Sequence, residues 1–183
     1  MAQLLTVHQP CRLDLECPDG IPAPGHPSQS VLKYMFSVRG KSVLDLGCGC
    51  GLFAIAAAKL GAREAWAVDP SPAAVDCTRR NAERNGVDVV AKAGDLFEPV
   101  AGRTFDLIVT LPEFGAFESI LREAPEYLER GGELLTCIPS DDRTAGFETL
   151  LRERFRFRRL PETRVELDGP GVCFLRSYLA MKL

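Results

Sequence analysis

Val43-Leu44-Asp45-Leu46-Gly47-Cys48-Gly49-Cys50-Gly51 joins an apolar strand with an acid near its end to glycines at every second position. Glycine has no Cβ and accepts positive φ, so such a turn lets bare backbone approach a small ligand where any side chain would block it. The dinucleotide turn G-x-G-x-x-G is not met, because Leu52 stands where its third glycine would be. Asp45 is a second discriminator. A carboxylate near the end of a buried strand is costly unless hydrogen-bonded or paired, so it is expected to hold the glycine turn or a cationic ligand group.

Outward from this turn, strand-like and helix-like segments alternate from residue 42, the signature of a parallel sheet covered by helices on both faces. Strands are expected at 42–46, 64–68, 88–93, 105–110 and 133–138. Leu52, Phe53, Ile55, Ala56 and Leu60 make the apolar side of a short helix that Gly61 ends. The next helix opens with Ser71 as cap and Pro72 at the first position, and closes at Asn85-Gly86. Phe117, Ile120, Leu121, Ala124 and Leu128 repeat at helical spacing, with a kink or restart at Pro125 and a stop at Gly131-Gly132. A last helix covers roughly 143–153. The tail alternates at Phe155-Arg156-Phe157-Arg158, turns at Asp168-Gly169-Pro170-Gly171 and returns through Val172–Leu183, an antiparallel hairpin on the sheet edge. The fold class is therefore α/β: a three-layer α-β-α, Rossmann-like sandwich over residues 41–183. Residues 1–40 carry a strand at 11–16, a Pro/Gly-rich loop at 18–27 and a short helix around Ser30–Phe36, an extension packing on the ligand side.

A chain of 183 residues with 46% apolar and 26% charged residues can bury a core as one domain, without obvious disorder. Net charge of −3 advertises no polyanion or anionic membrane partner. Seven cysteines, an odd number, read as reduced thiols of a cytoplasmic protein. Cys48-x-Cys50 lacks the usual metal-ligand spacing and a nearby histidine, so no metal is expected. The only histidines, His8 and His26, lie in the N-terminal segment, which argues against histidine-assisted nucleophilic catalysis. No basic leader with an apolar core and no membrane-length apolar run is present.

In an open parallel sheet, ligands sit at the carboxyl ends of the strands near the point where strand order reverses. The second strand ends at Asp69, where such folds place an acid that accepts hydrogen bonds from ribose hydroxyls. The third leads into Ala93-Gly94-Asp95-Leu96-Phe97, which suits an adenine: apolar walls for the ring and a carboxylate for its amino group.

Together these residues resemble the class I S-adenosylmethionine-dependent methyltransferases, whose glycine turn, ribose acid and adenine acid come in this order. The resemblance covers residues 42–183 and implies a seven-stranded, mostly parallel sheet with its last strand inserted antiparallel. It implies S-adenosylmethionine as cofactor, with Asp45, Gly47, Gly49 and Gly51 at its methionine and ribose part, Asp69 at the ribose hydroxyls and Asp95 with Leu96 at the adenine. Leu46, Cys48, Pro70 and Thr110 complete the cofactor-binding set. Phe105–Phe114 is similar to the segment where methyltransferases of ribosomal proteins, release-factor glutamine and rRNA guanine carry Asn-Pro-Pro-aromatic. Here the residues are Leu111-Pro112-Glu113-Phe114. Leucine cannot make the paired hydrogen bonds that orient a planar amide or exocyclic amine. Gly20-Ile21-Pro22-Ala23-Pro24, continuing to Ser28, resembles the extended proline-containing segment preceding the core in those enzymes.

Methyl transfer from a sulfonium is a direct displacement that needs positioning and desolvation rather than a covalent nucleophile. Glu113 is the best-placed candidate base where the acceptor must lose a proton; the alternative is a solvated loop glutamate. Arg152, Arg154, Arg156, Arg158 and Arg159 either contact RNA phosphates or, more simply, form the wet face of an edge strand. The acceptor's class stays unread. Two rivals remain: a nicotinamide-dependent oxidoreductase, disfavoured by Leu52 and Asp45, and a binding module that holds the cofactor without turnover.

Overall fold

The computed structural model of the chain describes residues 2–112, 114–141, 144–166 and 172–183. From Ser42 the chain alternates β3 (Ser42–Leu46), α2 (Leu52–Lys59), β4 (Glu64–Asp69), α3 (Pro72–Asn85), β5 (Val90–Ala93), β6 (Phe105–Thr110), α4 (Phe117–Glu123) and β7 (Leu128–Pro139). These follow β1 (Gln3–Val7), β2 (Leu13–Cys17) and α1 (His26–Leu32), and precede α5 (Thr144–Arg154), β8 (Phe155–Arg159), β9 (Thr163–Glu166) and β10 (Val172–Lys182). The main sheet runs β5-β4-β3-β6-β7-β10-β8. Its first five strands are parallel, and β10 lies antiparallel between β7 and β8. Strand order reverses between β3 and β6, so their carboxyl ends frame the crevice expected at such a switch point.

Side chains alternate between two cores along each central strand. On β6, Leu107 and Val109 face one layer with Phe53, Ile55 and Leu15, while Ile108 faces the other with Phe117, Ile120 and Phe147. All five residues of β3 are buried, Asp45 among them. Helix α3 keeps its expected bounds. Ser71 Oγ accepts the Ala74 N–H at 3.4 Å, Pro72 opens the helix and Gly86 closes it in the left-handed conformation.

Four expectations need correction. The helix expected to stop at Gly131-Gly132 gives way earlier, to a 3-10 turn over Ala124–Tyr127, and Leu128 already belongs to β7. The two glycines serve a bulge instead: Phe105 pairs with Leu128 but Leu107 with Glu133, and a Cβ on Gly132 would lie 2.8 Å from the Phe105 carbonyl oxygen. The sheet holds eight strands rather than seven, because β8 and the short β9 share the outer edge of β10. In the N-terminal segment, β1 pairs with β2 in a separate two-stranded sheet, and α1 begins at His26, with a 3-10 turn at Met35–Ser37. The expected turn at Asp168–Gly171 lies outside the described residues.

The N-terminal hairpin is held by two asparagines one helical turn apart. Asn81 accepts the Glu16 N–H at 2.8 Å and donates to the Glu16 carbonyl at 2.9 Å. Asn85 makes the same pair with Asp14, at 3.0 and 2.8 Å. These carboxamides serve the β2 edge as a neighbouring strand would. Asn81 also donates to the Cys50 carbonyl at 2.9 Å, tying the hairpin to the glycine turn.

Candidate active site

The glycine turn is fixed from below by groups that never reach its open side. Asp45 Oδ2 accepts the Ala54 N–H at 3.0 Å, so a strand carboxylate satisfies an orphan donor at the start of α2. Burial pushes the Asp45 carboxyl up to about 7, with the Ala54 and Phe53 N–H groups pulling the other way. The Gly47 and Cys48 N–H groups both donate to the Val68 carbonyl, at 2.8 and 3.0 Å. The Thr78 hydroxyl lies 3.1 Å from the Gly49 carbonyl and 3.3 Å from Cys48 Sγ. Gly51 has a φ of +84°, and a Cβ there would meet Thr78 Cγ2 at 2.8 Å and Oγ1 at 2.9 Å. Only glycine fits.

Above the turn lies a cavity of about 470 Å³, bounded by the ends of β3, β4 and β6. Of the residues anticipated for the cofactor, Leu46, Gly47, Cys48, Gly49, Asp69, Pro70, Asp95, Leu96 and Thr110 line it. Asp45 and Gly51 do not; they sit one layer beneath and shape the turn. Glu113 lies outside the described residues.

Asp69 links two of the strand ends. Its Oδ2 accepts the Gly49 N–H and its Oδ1 the Ser71 N–H, both at 2.9 Å. Each oxygen keeps a second lone pair, and the residue is half-buried at the cavity wall. Leu96 is the one non-glycine residue with positive φ, +43°, among those described. A strained backbone here marks a position the surroundings over-determine, and it faces the cavity. The Thr110 hydroxyl donates to the Leu46 carbonyl at 2.8 Å, stitching β6 to β3 behind the wall. Both thiols in the wall are held toward the neutral form: burial pushes Cys48 up, while a hydrogen bond to Cys17 and then burial push Cys50 up.

Sequence reasoning missed Asn81 and Thr78, polar residues on the buried face of α3, and the cavity-lining Ala116 and Ile120, while Pro22, Pro24 and Ser28 of the segment singled out before the core do line the cavity. The arginine-rich tail is less free than its composition suggests. Arg159 and Arg152 both pair with the buried Glu148, which also accepts the Tyr178 hydroxyl at 3.0 Å, while all five tail arginines, Arg154, Arg156 and Arg158 included, stay exposed.

A mostly parallel sheet reversing between β3 and β6, a glycine turn at the first strand end and an inserted antiparallel strand define the class I methyltransferase fold. The chain belongs to the methyltransferase small domain family, whose profile matches residues 26–165. It is 42% identical over 96 residues to the ribosomal protein L11 methyltransferase of Thermosipho africanus, covering 52% of this chain and 36% of that protein. It is 33% identical over 133 residues to the release factor glutamine methyltransferase of Geobacter sulfurreducens, covering 69% of this chain and 47% of that protein. The chain thus spans less than half the length of either relative. A T. thermophilus 16S rRNA N2 G1207 methyltransferase, solved in complex with AdoMet and guanosine, superposes with a TM-score of 0.79 at 22% identity. That match covers 100% of this chain and 51% of the other, and it speaks to the fold. Among the described residues, no helix is long and apolar enough to cross a membrane.

Proposed function

We propose that the chain is an S-adenosylmethionine-dependent methyltransferase. The observation that carries this reading is the convergence of Gly47–Gly49, Asp69 and Asp95-Leu96 on one cavity of about 470 Å³. The donor set fits the cofactor: free lone pairs on Asp69 for ribose hydroxyls, a carboxylate beside an apolar wall at Asp95-Leu96 for adenine, and bare backbone at Gly47 and Gly49 for the methionine part. Bound there, the cofactor supplies an electrophilic methyl group.

The chain's own residues bind, orient and exclude water. Asp69 and the N–H groups it holds keep the turn in register. Leu111, Pro112, Ala116 and Ile120 give the remaining wall its apolar character, which strengthens positioning by removing water. Residues 1–40 act as cover on the cofactor side, a role supported by Pro22, Pro24 and Ser28 in the same wall. RNA is not the favoured partner, because two of the five tail arginines are committed to Glu148. A cytoplasmic setting is supported by the odd, largely buried cysteine set.

Equilibrium dialysis with radiolabelled S-adenosylmethionine tests the reading. Stoichiometric retention by the wild-type chain, and its loss in Asp69→Ala, is expected. Equal retention by both proteins, or none by either, contradicts it.

A further inference from the structure

The hydrogen bonds of Asn81 decide which way its carboxamide faces. The Glu16 N–H donates to Oδ1 at 2.8 Å and the Glu16 carbonyl accepts from Nδ2 at 2.9 Å, so β2 fixes oxygen and nitrogen in the one order that pairs them. The remaining amide hydrogen then serves the Cys50 carbonyl, 2.9 Å from Nδ2. Asn81 is fully buried, so water does not stand in for it at either end. The peptide from Cys50 to Gly51 is held on both sides, its carbonyl by Asn81 and its N–H by the Cys48 carbonyl at 2.7 Å. One residue earlier, the Gly49 carbonyl accepts the Thr78 hydroxyl at 3.1 Å. Two consecutive carbonyls of the turn are thus drawn toward α3, and because a peptide is planar, each held carbonyl also sets the N–H on its far side. Asn85 grips β2 in the same way through Asp14, but its other bond goes to the Asn81 carbonyl of its own helix.

We propose that Asn81 is a positioning residue of the cofactor site: taking its orientation from the N-terminal hairpin, it holds the Cys50 carbonyl so that Gly47–Gly51 keeps the shape that the methionine part of S-adenosylmethionine needs. The proposal rests on the methyltransferase reading above and adds to that site a residue that does not line the cavity. Without the carboxamide, the carbonyl of the buried Cys50 loses its donor, and the peptide between Cys50 and Gly51 is held at one end instead of two. The glycine beside it resists rotation least of all residues. A turn that samples other shapes binds its ligand more weakly, in proportion to the fraction of time the competent shape is populated.

Calorimetric titration with S-adenosylhomocysteine compares the wild-type chain with Asn81→Ala and Asn85→Ala. Each variant removes one matched pair of bonds to β2, so a role confined to holding the hairpin weakens binding alike in both. Expected is a Kd raised at least about tenfold in Asn81→Ala and less than about twofold in Asn85→Ala. Asn81→Asp and Asn85→Asp at about pH 8 form a second pair for the case that an alanine variant does not fold: each keeps the side-chain shape and the acceptor for the hairpin N–H, and once ionised has no donor. The same ordering is expected of them. The ¹H–¹⁵N spectrum of the ligand-free proteins reads the turn itself. The Gly49 N–H, bonded to Asp69 Oδ2 at 2.9 Å, should move upfield in Asn81→Ala as that bond loosens and keep its position in Asn85→Ala. Equal changes in Kd within each pair, or a Gly49 signal that stays in place in Asn81→Ala, overturn the proposal. A wild-type chain that binds no S-adenosylhomocysteine overturns the methyltransferase reading instead, and the Gly49 comparison then still tells whether Asn81 sets the turn.

Discussion

Replacing Gly51 by alanine forces a Cβ into a backbone with φ of +84°, within 2.8 Å of Thr78 Cγ2, 2.9 Å of its Oγ1 and 3.1 Å of Ile55 Cδ1. The left-handed conformation alone costs an L-residue about 1–2 kcal/mol. Overpacking against a buried threonine adds about 1–3 kcal/mol, because Thr78 sits fully buried under the turn and has no room to withdraw. A total near 3 kcal/mol follows for Gly51→Ala. Thr78→Ala removes both contacting atoms, together with the hydroxyl's bonds to Gly49 and Cys48, at a cost of about 1 kcal/mol. In the double variant both threonine contacts vanish, and the backbone strain, the milder 3.1 Å contact with Ile55 Cδ1 and the lost hydrogen bonds remain. The two substitutions should therefore be less than additive by about 1–2 kcal/mol. Urea unfolding of the four proteins at pH 7 measures this. Additivity within about 0.5 kcal/mol would refute the claim that Thr78 is what reserves position 51 for glycine.

Asp45→Asn should flatten the acid side of the stability profile. The folded-state value of about 7 lies above the ordinary carboxylate range, so the folded chain holds the proton more tightly. Stability tied to it is complete below about pH 4 and lost as pH rises through 7, a change of about 2–4 kcal/mol that the asparagine variant lacks. Glu148 runs the opposite way: the Arg159 hydrogen bond, helped by Tyr178 and opposed by burial, holds it down to about 2. Its contribution is complete above about pH 4.5 and disappears as pH falls toward 2; Glu148→Gln should cost about 2 kcal/mol at pH 7 and show no such acid loss in thermal unfolding. Asp69→Ala should raise the S-adenosylhomocysteine Kd at least about thirtyfold by calorimetry, since it removes the anchor of the Gly49 N–H together with the carboxylate proposed to accept the ribose hydroxyls.

The glycine turn was legible because a close backbone approach at positive φ admits one residue type, and Asp69 was legible as the acid that ends the second strand at the cavity wall. Helix α3 was legible from Ser71-Pro72 and Gly86, whose chemistry admits few other uses. Leu128 misled because one apolar residue fits the helical stripe before it as well as the strand it opens. The glycine pair after it was misread for the same reason: a bulge and a helix stop both require glycine. β1 escaped notice because most of its residues are exposed, Leu4 at 71%, leaving little alternation to detect. Asn81 and Asn85 look like the wet side of α3 until the β2 edge is set against them. No local pattern shows that juxtaposition; it exists only once the chain has closed.

Calorimetric titration of the reduced chain with S-adenosylhomocysteine, run beside NAD, goes straight to the central claim. The account predicts one-to-one binding of S-adenosylhomocysteine and no heat from NAD. Binding of NAD in its place, or of neither, would contradict it.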